Sequence, residues 1–148
     1  KHGAVMHELD DVVVQRLLAS DQRYTPARRA LVAALRSAGG PVSITDIQRL
    51  TDDLPQSSVY RNLAVLESAG VVTRVVGNDE FGRFELAEDL IGHHHHLMCE
   101  ECGAMLDVTV PPEIEHQLDE ALSRLAASSG FTLHHHRLDL VGRCAKCR

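Results

Sequence analysis

Two CxxC pairs, Cys99-Glu100-Glu101-Cys102 and Cys144-Ala145-Lys146-Cys147, contain all four cysteines of this 148-residue chain. Each short loop lets both sulfurs point at one ion, so the two knuckles supply the four thiolates of a closed tetrahedral zinc site. The competing reading is a redox dithiol, but no thioredoxin-like βαβ pattern surrounds either pair. Structural zinc on Cys99, Cys102, Cys144 and Cys147 is therefore expected, with metal binding coupled to folding. Four consecutive histidines, His93 to His96, lie just before the first pair. In an extended segment alternate side chains point to opposite sides. His93 and His95 then face one way and His94 and His96 the other, so one strand can serve two ions. Imidazoles with nearby carboxylates are harder donors than thiolates and suit a second, exchangeable divalent metal. An expression tag would be terminal, and this run is internal.

The elements that must hold these groups are legible in outline. Asp10 and Asp11 ahead of the apolar stretch Val12 to Ala19 predict a short helix starting at the acids. Thr25-Pro26 predicts a second helix with Ala30, Leu31, Ala34 and Leu35 on one face and Gly39-Gly40 as its stop. Ser43 or Thr45 caps a third through Ile47 and Leu50. After Asp52-Asp53-Leu54-Pro55, a fourth runs from about Ser57 to Ser68, ended by Gly70. Its apolar stripe is Val59, Leu63 and Leu66, opposite Ser58, Tyr60, Arg61 and Asn62. Val71 to Val76, a turn at Gly77-Asn78-Asp79, and Arg83 to Leu86 read as a hairpin. Short helices followed by a two-stranded wing make a winged helix-turn-helix. In the second half, Met105 to Val110 predicts a strand and Pro111-Pro112 opens a helix through Ile114, Leu118, Leu122 and Leu125 that Gly130 ends. Leu133 to Val141 predicts a last strand. The expected class is α+β, with a winged-helix DNA-binding domain over 8–87, a hinge over 88–92 and an α/β metal-binding domain over 93–148.

Composition agrees with that division. Residues 1–77 carry 9 Lys/Arg against 8 Asp/Glu, whereas residues 78–148 carry 6 against 13. The net charge of −6 argues against a general nucleic-acid coat, but the asymmetry suits a polyanion-binding half joined to a cation-binding half. Aromatic content of 3% with no Trp is thin for a core, which a metal staple would reinforce. No apolar run approaches the ~18 residues of a membrane span, and no signal peptide is evident. A reducing cytoplasm is expected, where CxxC pairs bind metal. Lys1 to Val5 are given no role.

Three pieces together resemble the ferric uptake regulator family over about Asp10 to Arg148. They are Ser58-Val59-Tyr60-Arg61-Asn62-Leu63, the run His93 to Gly103, and His136 eight residues before Cys144. The His run joined to CxxCG and a later CxxC is the specific part. The resemblance implies a homodimeric, metal-activated transcriptional repressor, neither an enzyme nor a binder of small organic molecules, and it makes 93–148 the dimerisation domain. Its winged helix would read double-stranded, pseudo-palindromic operator DNA. It also implies two ligand sets. His93 and His95 join Glu115 and His136 within the dimerisation domain, and His94 and His96 join Glu85 at the hinge, with Glu88, Asp89, Glu80 or water completing the shell. Glu113 is the alternative to Glu115, and His134 and His135 are weaker candidates. The hinge set departs from family patterns: Pro41 stands where many members have histidine, and Thr73 and about Ala87 where zinc-uptake members have Asp and Cys. The regulatory ion is thus left open among Zn²⁺, Fe²⁺ and Mn²⁺.

On the DNA side the candidates are Ser57, Ser58, Tyr60, Arg61 and Asn62 on the fourth helix, with Arg23 and Arg28 near the second. By resemblance, Tyr60 approaches a base, Arg61 the backbone and Arg23 a minor groove. Two rivals remain. A zinc hydrolase would use His93, His95 and His136 with Glu115 or Glu113 as base, but four protein ligands leave no open position. A peroxide or redox sensor would stay within the same family.

Overall fold

The computed structural model of the chain describes residues 2–52, 54–77 and 82–148, with side chains from Glu8 onward. Asp53, the expected turn residues Asn78 and Asp79, the candidate ligand Glu80, and the side chains of His2 and His7 lie outside the described residues. The chain divides into two compact units, Lys1–Gly92 and His93–Arg148. No helix among the described residues is long and apolar enough to cross a membrane.

The first unit opens with α1, His2–Ala19. Asp10 and Asp11 lie inside this helix and do not start it, which corrects the expected boundary. Asp10 serves a tertiary contact instead: the Tyr24 hydroxyl donates to its carboxylate at 2.8 Å, and Arg29 lies 3.7 Å away. Helix α2, Pro26–Ser37, begins where Thr25 accepts a hydrogen bond from the Arg28 amide, with proline at the first turn. Helix α3, Ile44–Leu50, is closed by a reciprocal capping box between Ser43 and Asp46, so Ser43, not Thr45, is the cap. Helix α4, Gln56–Ser68, ends at Gly70, whose φ of +79° suits a residue without Cβ. Strands β1, Val72–Val76, and β2, Gly82–Leu86, pair antiparallel as the wing. Val42 and Phe84 exchange backbone hydrogen bonds of 3.0 and 2.8 Å, tying the wing to the segment ahead of α3. A four-residue helix α5, Glu88–Ile91, occupies most of the expected hinge and belongs to this unit.

One core joins these helices: Leu9, Val13 and Leu17 of α1 meet Leu31, Val32 and Leu35 of α2, Ile47 of α3 and Val59, Leu63 and Leu66 of α4. Heptad-like spacing on each helix puts these residues on one face.

The second unit is a three-stranded sheet in the order β4-β3-β5. Strand β3, His95–Cys99, is central. It pairs antiparallel with β4, Met105–Val108, and parallel with β5, Asp139–Gly142. Helix α6, Pro112–Ser128, makes the crossover. Both outer strands are shorter than their composition suggests. β4 stops at Val108, short of the expected Val110, and residues 131–138 are irregular, so the strand expected from Leu133 reduces to Asp139–Gly142. The cause is that β3 itself has five residues, and pairing ends where His96 N–H reaches the Leu138 carbonyl at 3.3 Å.

Leu63 is 1% exposed at the centre of the first core. Leu63→Ala is expected to lower unfolding free energy by about 2–5 kcal/mol in a denaturant titration.

Candidate metal centre

The thiolate group is assembled by strand register. Cys99 ends β3 opposite Gly142 of β5, which places Cys144 two residues beyond that pair. The first knuckle turns back through Gly103 at φ +78°, with Cys99 N–H bonded to the Ala104 carbonyl at 2.9 Å. The Sγ atoms of Cys99, Cys102, Cys144 and Cys147 lie within 4.8 Å of one another, with Cys102 and Cys144 at 3.8 Å. A tetrahedron with Zn–S bonds of ~2.3 Å needs sulfurs roughly 3.8 Å apart, so the group fits. Backbone N–H groups, first that of Cys102 and then that of Cys144 at 3.4 Å, hold the Cys99 thiol down to about 6. Cys147 is pushed up to about 12, chiefly by its hydrogen bonds to Cys144 and Cys102. Crowded sulfurs without a cation share protons in this way, whereas a metal removes them outright.

Three imidazoles converge on one carboxylate in the same unit. Glu115 Oε1 lies 2.6 Å from His93 Nε2 and 2.7 Å from His136 Nε2, and Oε2 lies 3.0 Å from His95 Nε2. Burial opposes ionisation of Glu115, but the hydrogen bonds from His95, His136 and His93 outweigh it and hold the carboxyl near 2. His95 and His136 stack at 5.2 Å, and the Nδ1 atoms of both are buried without a hydrogen-bond partner among the described residues. Glu113 is exposed on α6 and absent from this group. Two residues along a helix is more than half a turn, so only one of the two glutamates can face the sheet. His134 and His135 are exposed outside the group.

On the other face of β3, His94 and His96 stand with rings 5.1 Å apart. Asp107 Oδ1 lies 3.6 Å from His94 Nε2 and 3.4 Å from His96 Nε2, and Asp139 Oδ1 lies 3.3 Å from His96 Nδ1. Neither aspartate was among the expected ligands. Both stand directly across from His96, Asp107 on β4 and Asp139 on β5. Residues paired across a ladder share a face. The signal was the CxxCG turn: closing it as a hairpin at Met98–Met105 sets Asp107 against His96. Glu85 lies in the first unit on β2, paired with Thr73 and 6% exposed. Asp89 is committed elsewhere: Arg16 holds it at 2.6 Å and, by that hydrogen bond, keeps its carboxyl below the usual range.

Of the residues expected to meet DNA, some are exposed and some are not. Ser57, Tyr60 and Arg61 are exposed on α4, and Arg23 is exposed ahead of α2. Asn62 is not on that face. It is 7% exposed, accepts from Arg28 Nε at 2.9 Å and donates to the Ser58 carbonyl at 2.9 Å. Arg28 also donates to Gln22 at 3.1 Å and to the Arg23 carbonyl at 2.9 Å. Asn62 and Arg28 thus tie the Arg23 segment to α4. Ser58 is half-buried and receives Asn62.

A model of the ferric uptake regulator family matches residues 19–141. The peroxide-responsive repressor PerR of Staphylococcus aureus strain USA300 is 32% identical over 150 residues, covering 98% of this chain and 95% of the relative. The chain belongs to the ferric uptake regulator family. Its fold is that of the Vibrio cholerae ferric uptake regulator, with 27% identity, a TM-score of 0.68, and coverage of 88% and 98% of the two chains. A zinc-bound manganese uptake regulator is as similar, at 27% identity and TM-score 0.69 over 92% and 98%. As a ferric uptake regulator family member the chain is a metal-responsive, DNA-binding transcriptional repressor. Members of this family are transcriptional regulators.

The donors fit metals of two kinds. Four sulfurs suit a soft or borderline ion, and nitrogen with carboxylate oxygen suits a harder one. Cys147→Ser is expected to empty the thiolate group and lower the unfolding midpoint by more than ~10 °C, checked by metal counted per chain and calorimetry.

Proposed function

We propose that the chain is a homodimeric, cytoplasmic repressor of metal homeostasis genes. In this reading structural zinc is held by Cys99, Cys102, Cys144 and Cys147. The regulatory ion is held by His94, His96 and Asp107 with Glu85 of the wing strand. The observation that carries the reading is the placement of two imidazoles and Asp107 on the face of β3 opposite the Glu115 group. His93, His95, Glu115 and His136 would hold a further divalent ion. A bound divalent cation supplies the positive charge that lets imidazoles and carboxylates share one point. Glu85 belongs to the first unit and the other three donors to the second. Holding all four together therefore selects one orientation of the DNA-binding unit, and affinity for operator rises by the free energy with which that orientation is favoured.

With Asp107 included, the set has two nitrogens, carboxylate oxygens and no thiolate, which favours Fe²⁺ or Mn²⁺ over a strictly zinc-selective role. The same donors, together with 32% identity to a peroxide-responsive repressor, support the second reading of an iron-loaded peroxide sensor. The two separate by exposing Fe²⁺-loaded and Mn²⁺-loaded protein to peroxide. Histidine oxidation and operator release confined to the iron form favour the second.

Ser57, Tyr60 and Arg61 form the groove-facing surface in this reading, and Arg23 approaches the minor groove beside it. Two copies related by a two-fold axis would read a pseudo-palindromic operator. Arg61→Ala should weaken binding to all duplexes and reduce the salt slope of affinity by about 1, as loss of a phosphate contact does. His94→Ala combined with His96→Ala should preserve thiolate metal and folding yet lower metal-dependent operator affinity about 100-fold in an anisotropy titration. Undiminished metal dependence in that double variant would overturn the regulatory assignment.

A further inference from the structure

An open pocket of about 450 Å³ lies over the Glu115 group in the second unit. Its floor includes His93, Glu115 and His136. Its rim carries other donors: His134 and His135 from the irregular loop ahead of β5, and His116 and Asp119 from α6. The rim is accessible, with the His116 and Asp119 side chains 73% and 59% exposed. The inner group is graded: side-chain exposure falls from 36% at His93 to 10% at His136 and 2% at His95 behind them. Asp119 spans the two levels, its Oδ1 lying 3.6 Å from Nδ1 of His136.

We propose that His134, His135, His116 and Asp119 form a loading site, a weak and partly hydrated divalent-cation site from which the ion passes inward to His93, His95, Glu115 and His136. The inference rests on the reading of that inner group as a metal centre. Three observations carry it. First, the rim is rich in imidazole, the commonest neutral side-chain ligand of divalent transition metals. Second, among the described residues the rim donors do not gather as three within 4.8 Å, unlike the inner group. They cannot close a shell of protein atoms, so water must complete it, and a half-hydrated ion leaves readily. Third, Asp119 places a carboxylate at the mouth, and negative charge around a cleft raises cation on-rates by about 10-fold to 1,000-fold. His95, nearly sealed, needs such a stepwise approach, because an arriving ion must exchange its waters for imidazoles one at a time.

The test uses the full chain with its thiolate group loaded and Co²⁺ as probe, followed by visible absorption in stopped flow. The variants are His134→Ala with His135→Ala, and separately His116→Ala, all exposed and outside the inner group. A His95→Ala control identifies the inner signal. Loading and chelator-driven extraction are both expected to slow about tenfold while the equilibrium Co²⁺ affinity of the inner group stays unchanged. Unaltered rates overturn the inference alone. A matching loss of equilibrium affinity also overturns it, since the rim residues would then be ordinary ligands. Absence of His95-dependent Co²⁺ uptake in the parent protein removes the underlying centre, and the inference with it.

Discussion

The register of β3 between its two neighbours is the constraint on which all of the proposed metal chemistry rests. His95 stands against Val108, while His96 stands against Asp107 on one side and Asp139 on the other. Because side chains alternate, a slip of one residue would exchange the two histidine faces and separate Glu115 from its imidazoles. The register is pinned where the strand ends. The turn from Cys99 through Gly103 closes the β3–β4 hairpin, and the pairing of Cys99 with Gly142 brings the second knuckle alongside. The thiolate group sits at that junction. Closing it fixes two strand pairings at once, and the histidine faces follow from those pairings.

Electrostatics give the two donor types different characters. Around Glu115 the protein alone achieves balance, since three imidazoles offer enough hydrogen bonds to keep a partly buried carboxylate ionised near 2. The cysteines show no such balance. One thiol is drawn down to about 6 and another driven up to about 12 within a single cluster. Four neighbouring sulfurs can all be thiolates only beside a cation. In the proposed reading the thiolate group is the one that needs its ion, and the histidine group is the one whose donors are already gathered.

The parts legible in the sequence are those set by local spacing. CxxC knuckles, alternation along the His run, the Thr25-Pro26 cap and the stripe of Val59, Leu63 and Leu66 each depend on residues a few positions apart. Partners across a sheet or between helices depend on which elements meet, and there the reading fell short. Asp107 and Asp139 carry no local signature, yet both flank His96 once the strands pair. Asn62 reads as a polar residue on a solvent face, but Arg28 from another helix reaches it at 2.9 Å and makes its burial tolerable. Asp10 and Asp11 imitate a helix start because acids are favoured there, whereas Asp10 is placed by Tyr24.

The second unit closes little hydrophobic core of its own. Helix α6 buries no residue and every residue of β5 is exposed, so the usual hydrophobic closure of a small sheet against its helix is missing. The apolar side chains run across all three strands instead, with Leu97 paired to Leu106 on one side and Leu140 on the other. These three are 40%, 58% and 53% exposed, and neighbouring Val141 is 58% exposed. An apolar stripe of this kind on a short sheet suits a surface that a second copy covers in the proposed dimer. It lies on the same strands whose register the thiolate group pins. In the proposed reading, releasing the structural ion loosens that face as well as the fold of the unit, so dimer formation, and through it operator recognition, would depend on four sulfur atoms far along the chain from α4.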